Sequence, residues 1–289
     1  MAIFHKQIED FLQSDRVKKL SKQSAALYRY AMTSFDAFLS ESNKKPNIPA
    51  DTKEAWEFLV DQYCKSLEQN GKSATTIKQY LTIVKMWLRS IGFDNVKFSY
   101  KTSSDERKRV INKNLSRWFT EDEITQILAY GFEKNNGKAT RNKLMIRLLY
   151  ESGARIREIA ALTADDFELE NGWFWIRVSK TVPRPAFFGK ATEALIDQMK
   201  AAGQWSGRIF PDVAQCQAVF NDMLADLGMK DGADGRGPHT MRHYVATHLK
   251  YEKNLDLEDI ATLLGDTPET IRAVYLHPTP KMLKRIVMP

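Results

Sequence analysis

The sequence has few of the residues on which several classes of protein depend. It contains two cysteines, Cys64 and Cys216, and five histidines in 289 residues. The two distant cysteines form neither a metal-binding nor a redox motif, so we expect small buried thiols in a reducing compartment. No apolar run approaches the roughly 20 residues that a membrane helix needs. The first residues also lack the apolar stretch of a secretory signal. We therefore expect a cytoplasmic protein without a membrane partner.

The charge distribution points to a polyanionic partner. The chain carries a formal net charge of +7 and has a pI near 9.2. Seven basic and two acidic side chains lie between Lys97 and Arg117, in a polar stretch. A charge run alone is equally typical of a solvated linker. Between two domains of a basic protein, we favour a linker that lies along the phosphate groups of that partner. The side chains predicted to make these contacts are Lys101, Arg107, Lys108, Arg109 and Lys113.

The residue pattern divides the chain into two domains and a linker. Residues 1–99 have apolar side chains at helical spacing only, so we predict a helical domain whose aromatic stripes form its core. Residues 100–116 form the basic linker. Residues 117–289 open with a capping box at Thr120 and continue through helices and short β-prone runs to a C-terminal tail. The predicted fold class is mainly α with a small antiparallel β-sheet (α+β).

Three basic side chains stand at predicted helix starts. His239 and Arg242 are three residues apart after Pro238 and share one face of a first helical turn. Arg155 follows the helix stop at Gly153. The free N–H groups of a helix N-terminus favour an anion, and a guanidinium group binds two oxygens bidentately. Each arginine alone is more often a surface or ion-pair residue. The phosphate-binding interpretation therefore depends on their combination.

Two further side chains could complete the chemistry. Lys180 lies in a turn between predicted strands, where an ammonium group can act as a general acid if phosphates and burial tune it. Tyr275 lies in a predicted short helix, and nearby positive charge would make its phenol a competent nucleophile. Taken singly, an exposed turn lysine and a half-buried tyrosine are the commoner interpretations. His239 and His243 have metal-ligand spacing, but no third ligand completes a site and Arg242 would repel an ion. We predict no metal and no cofactor.

In this order, the segments resemble the catalytic domain of the tyrosine recombinases, the phage-integrase and Xer-like site-specific recombinases. Residues 149–162 resemble the segment that holds the family's first catalytic arginine, with Glu158 as the acidic residue that follows it. Residues 238–249 resemble the His-x-x-Arg box, residues 263–275 the nucleophile segment and residues 179–181 the lysine hairpin. The resemblance is detailed over residues 116–277, and residues 6–92 fit the family's core-binding domain in general pattern. The resemblance therefore implies that the helical residues 1–99 are a core-type DNA-binding domain. It assigns catalytic roles to Arg155, Lys180, His239, Arg242 and Tyr275.

One position departs from this resemblance. Nine residues before the tyrosine, where the family usually has His or Trp, the chain has Asp266. An ionised aspartate cannot donate a hydrogen bond to a phosphate oxygen, and its charge repels one. Three alternatives follow: Asp266 pairs with an arginine or lysine, it is protonated, or the enzyme is slow. His277 is a candidate for the missing donor. We hypothesise that Asp266→His keeps or raises cleavage.

The resemblance implies strand exchange without metal or ATP. Members bind double-stranded DNA, act as homotetramers on paired sites, and rejoin strands through a 3′-phosphotyrosyl intermediate during integration, excision or resolution. The arginines would hold the non-bridging oxygens, Lys180 would protonate the departing 5′ oxygen, and His239 would assist. Two alternatives stay open: a catalytically weak or inactive DNA-binding relative, and a strand relaxer of the type IB topoisomerase kind. The expected location is the cytoplasm, in association with the nucleoid.

Overall fold

The computed structural model describes residues 2–42, 52–98, 100, 118–134, 137–179, 181–230, 232 and 235–276. The chain divides into two compact units, residues 1–109 and 110–289, which we call the first and second units. Several predicted functional positions lie outside the described residues: Lys180, His277, the linker side chains Lys101, Arg107, Lys108, Arg109 and Lys113, and the tail after Leu276.

The described part of the first unit is helical, as its apolar spacing predicts. Its helices are α1 (Ala2–Leu12), α2 (Asp15–Lys18), α3 (Lys22–Ser42), α4 (Lys53–Gln69) and α5 (Ala74–Ser90). The Ser73 side chain caps α5 by accepting a hydrogen bond from the Thr76 N–H at 3.2 Å. Trp56 and Trp87 are fully buried and meet edge to face, with ring centres 5.4 Å apart. The prediction that the aromatic stripes form a core is confirmed.

The described part of the second unit combines helices with a small sheet. Its helices are α6 (Glu121–Ala129), α7 (Ala139–Ser152), α8 (Ile156–Ala160), α9 (Lys190–Ala201), α10 (Val213–Asp226), α11 (Pro238–Tyr251), α12 (Leu257–Leu264) and α13 (Pro268–Thr270). The predicted capping box opens the unit: Thr120 Oγ1 accepts from the Glu123 N–H, and Glu123 Oε2 accepts from the Thr120 N–H at 2.8 Å.

The sheet has three antiparallel strands in chain order: β1 (Phe167–Glu168), β2 (Trp173–Ile176) and β3 (Arg184–Phe187). Gly172, with φ at +67°, makes the turn that the Asn171-Gly172 pair predicts. The β-prone run that starts at Trp173 extends to Val178 in the sequence, but strand β2 ends at Ile176, which pairs with Arg184 as the last residue in the register. The predicted fold class, mainly α with a small antiparallel sheet, is confirmed.

Two breaks in the chain bring the site together. Gly153 ends α7 in the left-handed conformation, with φ at +60°, and a Cβ there would lie 2.5 Å from Leu264 Cδ2. The end of α7 therefore packs closely against the end of α12. After α13 the chain does not form the single short helix that the sequence predicts. Residues 271–275 form one π turn, which ends at Tyr275.

Candidate active site

Arg155 lies at the N-terminal cap position of α8, at the start of the short helix that the sequence predicts after Gly153. Its backbone is extended, with φ −73° and ψ 145°. The Arg155 N–H donates to Glu158 Oε2 at 2.9 Å, and its Nη1 donates to Glu158 Oε1 at 3.0 Å. Burial alone would lower the pKa of Arg155, but the carboxylates of Glu158 and Asp266 raise it above its ordinary value. Its guanidinium group is thus fixed in place with Nη2 directed at Asp266.

Arg242 lies on the first turn of α11, as predicted, but its side chain is fully buried. Its Nη1 donates to the Gly153 carbonyl oxygen at 2.8 Å, and its Nη2 donates to the Leu264 carbonyl oxygen at 2.9 Å. These two acceptors are the ends of α7 and α12, where carbonyl groups lack helical partners. The buried Nε has no hydrogen-bond partner among the described residues. Arg242 therefore connects α11 with the ends of α7 and α12, and its Nε–H group remains available to donate a hydrogen bond.

Asp266 links the two arginines. Its Oδ2 accepts from Arg155 Nη2 at 2.6 Å and from Arg242 Nη2 at 2.7 Å. The carboxylate side chain is only 10% exposed. Of the three alternatives posed by the sequence, the structure thus shows ion pairing with arginine, and with both of the predicted arginines at once. The site holds a carboxylate at the place where the two guanidinium groups converge.

Tyr275 packs against Arg242 and against two histidine rings. Its side chain is buried, and its ring centre lies 4.9 Å from Arg242 Cζ. The His239 ring lies 5.6 Å from the Tyr275 ring, and the His243 ring lies 4.8 Å from it. Arg155, His239, Arg242, Asp266 and Tyr275 are therefore brought together from four separate segments. His239 itself is exposed, so an imidazole at this position is accessible to a bound molecule.

Sequence reasoning missed Arg184. It lies on β3, is 4% exposed, and its Nη2 donates to Glu158 Oε2 at 2.9 Å. Its Nε donates to the Leu263 carbonyl oxygen at 3.0 Å. Arg184 thus ties the carboxylate that holds Arg155 to the end of α12, just before Asp266. Arg184 and Ala186 lie on the buried face of β3 and Pro185 is exposed, an alternation that the residue types at these positions do not indicate. An arginine on a buried strand face requires a carboxylate partner.

The hairpin that contains Lys180 is anchored to the site on both sides of that residue. Ser179 Oγ donates to Glu158 Oε1 at 3.0 Å. Thr181 Oγ1 donates to the Gly265 carbonyl oxygen at 2.7 Å. The two residues that flank Lys180 therefore contact the groups that hold Arg155 and Asp266.

The Glu158–Arg184 pair predicts how stability depends on pH. Burial alone would raise the pKa of Glu158, but the hydrogen bond and charge of Arg184 hold it below its ordinary value of 4.5. A depressed carboxylate pKa stabilises the fold above 4.5 and loses that contribution as the pH falls through the lowered value. We expect Glu158→Gln to cost about 3 kcal/mol at neutral pH, since Arg184 would stay buried without its counter-charge.

Urea unfolding at a series of pH values measures this effect. The difference between the wild type and Glu158→Gln should shrink as the pH falls below 4.5, because the wild type then loses the same charge. Glu170→Gln, at an exposed carboxylate, is the control for loss of one charge. A Glu158→Gln deficit that does not change with pH would contradict the ion-pair explanation.

No group of three or more His, Cys, Asp or Glu side chains in the described ranges could hold a metal ion. No helix in the same part of the chain is long and apolar enough to cross a membrane.

Comparisons with known proteins place this arrangement in context. The sequence model described as "Phage integrase family" matches residues 117–282, more than half of the chain. The tyrosine recombinase XerA of Thermococcus kodakarensis is 23% identical over 269 residues, covering 78% of this chain and 93% of the relative.

Solved structures share the fold. The XerH site-specific recombinase in a post-cleavage complex with palindromic difH substrate matches with a TM-score of 0.70 and 19% identity, covering 92% of this chain and 79% of that one. A lambda integrase tetramer bound to a Holliday junction matches with a TM-score of 0.68 and 16% identity, covering 96% of this chain and 79% of that one. At these identities the structural matches establish the fold.

Proposed function

Because the chain belongs to the phage integrase family, the tyrosine recombinases, we propose that it is a site-specific recombinase that cuts and rejoins DNA strands through a phosphotyrosyl bond to Tyr275. The observation that carries this proposal is the convergence of Arg155 and Arg242 on one point, 2.6 and 2.7 Å from a single oxygen, with the Tyr275 ring packed on Arg242. Two guanidinium groups that converge in this way suit the non-bridging oxygens of a phosphodiester.

The reaction exchanges one phosphodiester for another. The Tyr275 oxygen attacks phosphorus and loses its proton, the bond from phosphorus to the 5′ oxygen breaks, and that oxygen takes up a proton. Arg155 and Arg242 stabilise the charge that develops on the phosphoryl oxygens. Lys180 donates the proton to the leaving oxygen, and the exposed His239 assists proton transfer. Attack by the 5′ hydroxyl of a partner strand reverses the step and joins the two strands.

Glu158 and Arg184 act in this scheme through Arg155. Their buried ion pair fixes the orientation of the Arg155 guanidinium group before DNA binds. Residues 1–99 are the proposed core-type DNA-binding domain, residues 100–116 the basic linker that contacts phosphates, and residues 117–289 the catalytic domain. The relatives solved with DNA include a tetramer on a Holliday junction, and we extend that assembly to this chain.

A DNA-binding relative that has lost cleavage is the second candidate. Asp266 favours it, because an ionised carboxylate occupies both arginines. The strand-relaxing alternative has no comparable observation in its favour.

The proposal is tested by covalent capture. The protein is incubated with fragmented, nicked DNA from its host and denatured with detergent, and the DNA that stays attached is sequenced. Mass spectrometry of the attached peptide then identifies the linked residue. We expect a phosphotyrosine adduct within residues 271–275 and a common sequence at the cleaved ends. Salt-sensitive DNA binding without any adduct would contradict recombination and support the second candidate.

A further inference from the structure

The Asp266 carboxylate uses the same N–H groups that a phosphodiester would need. Its Oδ2 lies 2.6 Å from Arg155 Nη2 and 2.7 Å from Arg242 Nη2. At these distances the carboxylate oxygen lies directly in front of both N–H groups, so a second oxygen cannot accept from the same N–H groups at the same time. Carboxylate and phosphate therefore exclude each other at this point.

The carboxylate is held there by the fold. The Asp266 N–H donates to the Ala261 carbonyl oxygen at 2.9 Å, which ties it to the end of α12. Gly265, with φ at +64°, turns the chain, and a Cβ at that residue would lie 2.6 Å from Arg184 Nη1. Thr181 Oγ1 holds the Gly265 carbonyl group from the hairpin side. The main chain before Asp266 is thus fixed on three sides, and displacement of the carboxylate requires rotation of its side chain.

The charges around this point are nearly balanced. Among the described residues, three arginines face two carboxylates: Arg155, Arg184 and Arg242 against Glu158 and Asp266. Neutralising Asp266 would leave two net positive charges where the wild type has one. A free oxyanion has to displace the Asp266 carboxylate from the arginines. Because the carboxylate is part of the same chain, it loses no translational freedom when it binds there, whereas the free anion does. A phosphodiester within a bound duplex does not have this disadvantage, because the contacts of the protein with the rest of the duplex already hold it near the arginines.

From these contacts we infer that Asp266 is an internal substitute for the scissile phosphate, and that it makes the arginine pair select a phosphodiester in duplex DNA over free oxyanions. Inorganic phosphate, sulfate and nucleotides are the free anions that it excludes. The inference rests on the proposed function for the identity of the selected ligand. Its central claim, that the carboxylate occupies an oxyanion site, is measurable without DNA.

Sulfate binding to the full chain provides the measurement. Thermal unfolding is followed against sulfate concentration for the wild type, Asp266→Asn and Asp266→Ala, with sodium chloride matching the ionic strength. A ligand that binds only the folded state raises the unfolding midpoint, and the rise is larger the higher its concentration is relative to its dissociation constant. We expect both variants to bind sulfate at least about tenfold more tightly than the wild type, because a like charge has left the site. Asp222→Asn, an exposed charge change on α10, should behave as the wild type.

A purely structural role for Asp266 gives a different pattern. Loss of an ion pair would destabilise both variants, and sulfate would restore neither beyond its effect on the wild type and Asp222→Asn. That result would overturn the inference. If the variants are less stable in chloride, we expect sulfate to recover the loss, since the oxyanion takes the place of the carboxylate between Arg155 and Arg242.

Cleavage separates this inference from the proposed function. On a nicked duplex that traps the covalent adduct, sulfate should inhibit Asp266→Asn at a concentration at least about tenfold lower than it inhibits the wild type. Absence of adducts from the wild type would contradict the proposed recombinase activity. The sulfate titration would still test whether the Asp266 carboxylate occupies an oxyanion site, because that measurement uses no DNA. Equal sulfate inhibition of both proteins would overturn the selectivity assigned to Asp266.

Discussion

Replacement of Tyr275 by phenylalanine is expected to abolish covalent attachment to DNA while leaving non-covalent binding unchanged. The substitution removes the phenolic oxygen, which the proposed reaction uses as nucleophile, and Arg155, His239 and Arg242 carry no phenol that could replace it. The ring contacts with Arg242 and His239 are retained, because they involve the aromatic face and edge. The buried position therefore stays filled, and we expect the fold to be kept.

Two assays check this expectation on the same preparation. Detergent-resistant adducts on a nicked duplex report the nucleophile, and mobility shift across a salt series reports non-covalent binding. Tyr244→Phe is the matched control, since it removes a phenol from the same α11 neighbourhood. Burial raises the pKa of Tyr244 to about 12, which makes that phenol a poor nucleophile. Adducts that persist in Tyr275→Phe would assign the attack to another residue.

Replacement of Arg242 by lysine is expected to have the second large effect, on cleavage and stability together. Lysine keeps the charge but cannot reach the Gly153 and Leu264 carbonyl groups and Asp266 at once. We expect cleavage to slow by at least about a thousandfold, as for loss of a transition-state donor. The carbonyl groups and carboxylate left without donors should cost about 2–4 kcal/mol of unfolding free energy.

Arg155→Lys is the informative comparison. Arg155 is 18% exposed, and its side-chain contacts are with the carboxylates of Glu158 and Asp266. We expect a similar loss of cleavage with a smaller loss of stability, because no main-chain carbonyl group loses its donor. Single-turnover cleavage and urea unfolding separate the two effects. Equal destabilisation by both variants would contradict a specific role for Arg242 in joining α7, α11 and α12.

Much of the local structure was predictable from short-range patterns. The capping box at Thr120, the helix stop at Gly153 and the helix start at Pro238 each depend on residues within one or two turns. These signals also place His239 and Arg242 on one turn. They also place Arg155 at a helix start, but they do not indicate the π turn before Tyr275.

The arrangement of the site required the tertiary structure. Arg155 and Asp266 are separated by 111 positions, yet their side chains meet at 2.6 Å. The full burial of Arg242 and the role of Arg184 depend on how α7, α12 and β3 pack, and no local pattern encodes that packing. The sequence identified Asp266 as a departure and left three explanations for it.

The sequence by itself determined the family, the fold class and the set of candidate residues, because motif spacing and helix signals act over short stretches of chain. Only the tertiary structure decided which charges meet. An ion pair forms where packing brings opposite charges together away from water, whatever their separation along the chain. That is why Asp266, which reads in the sequence as the loss of a hydrogen-bond donor, proves to be the ligand that both arginines hold.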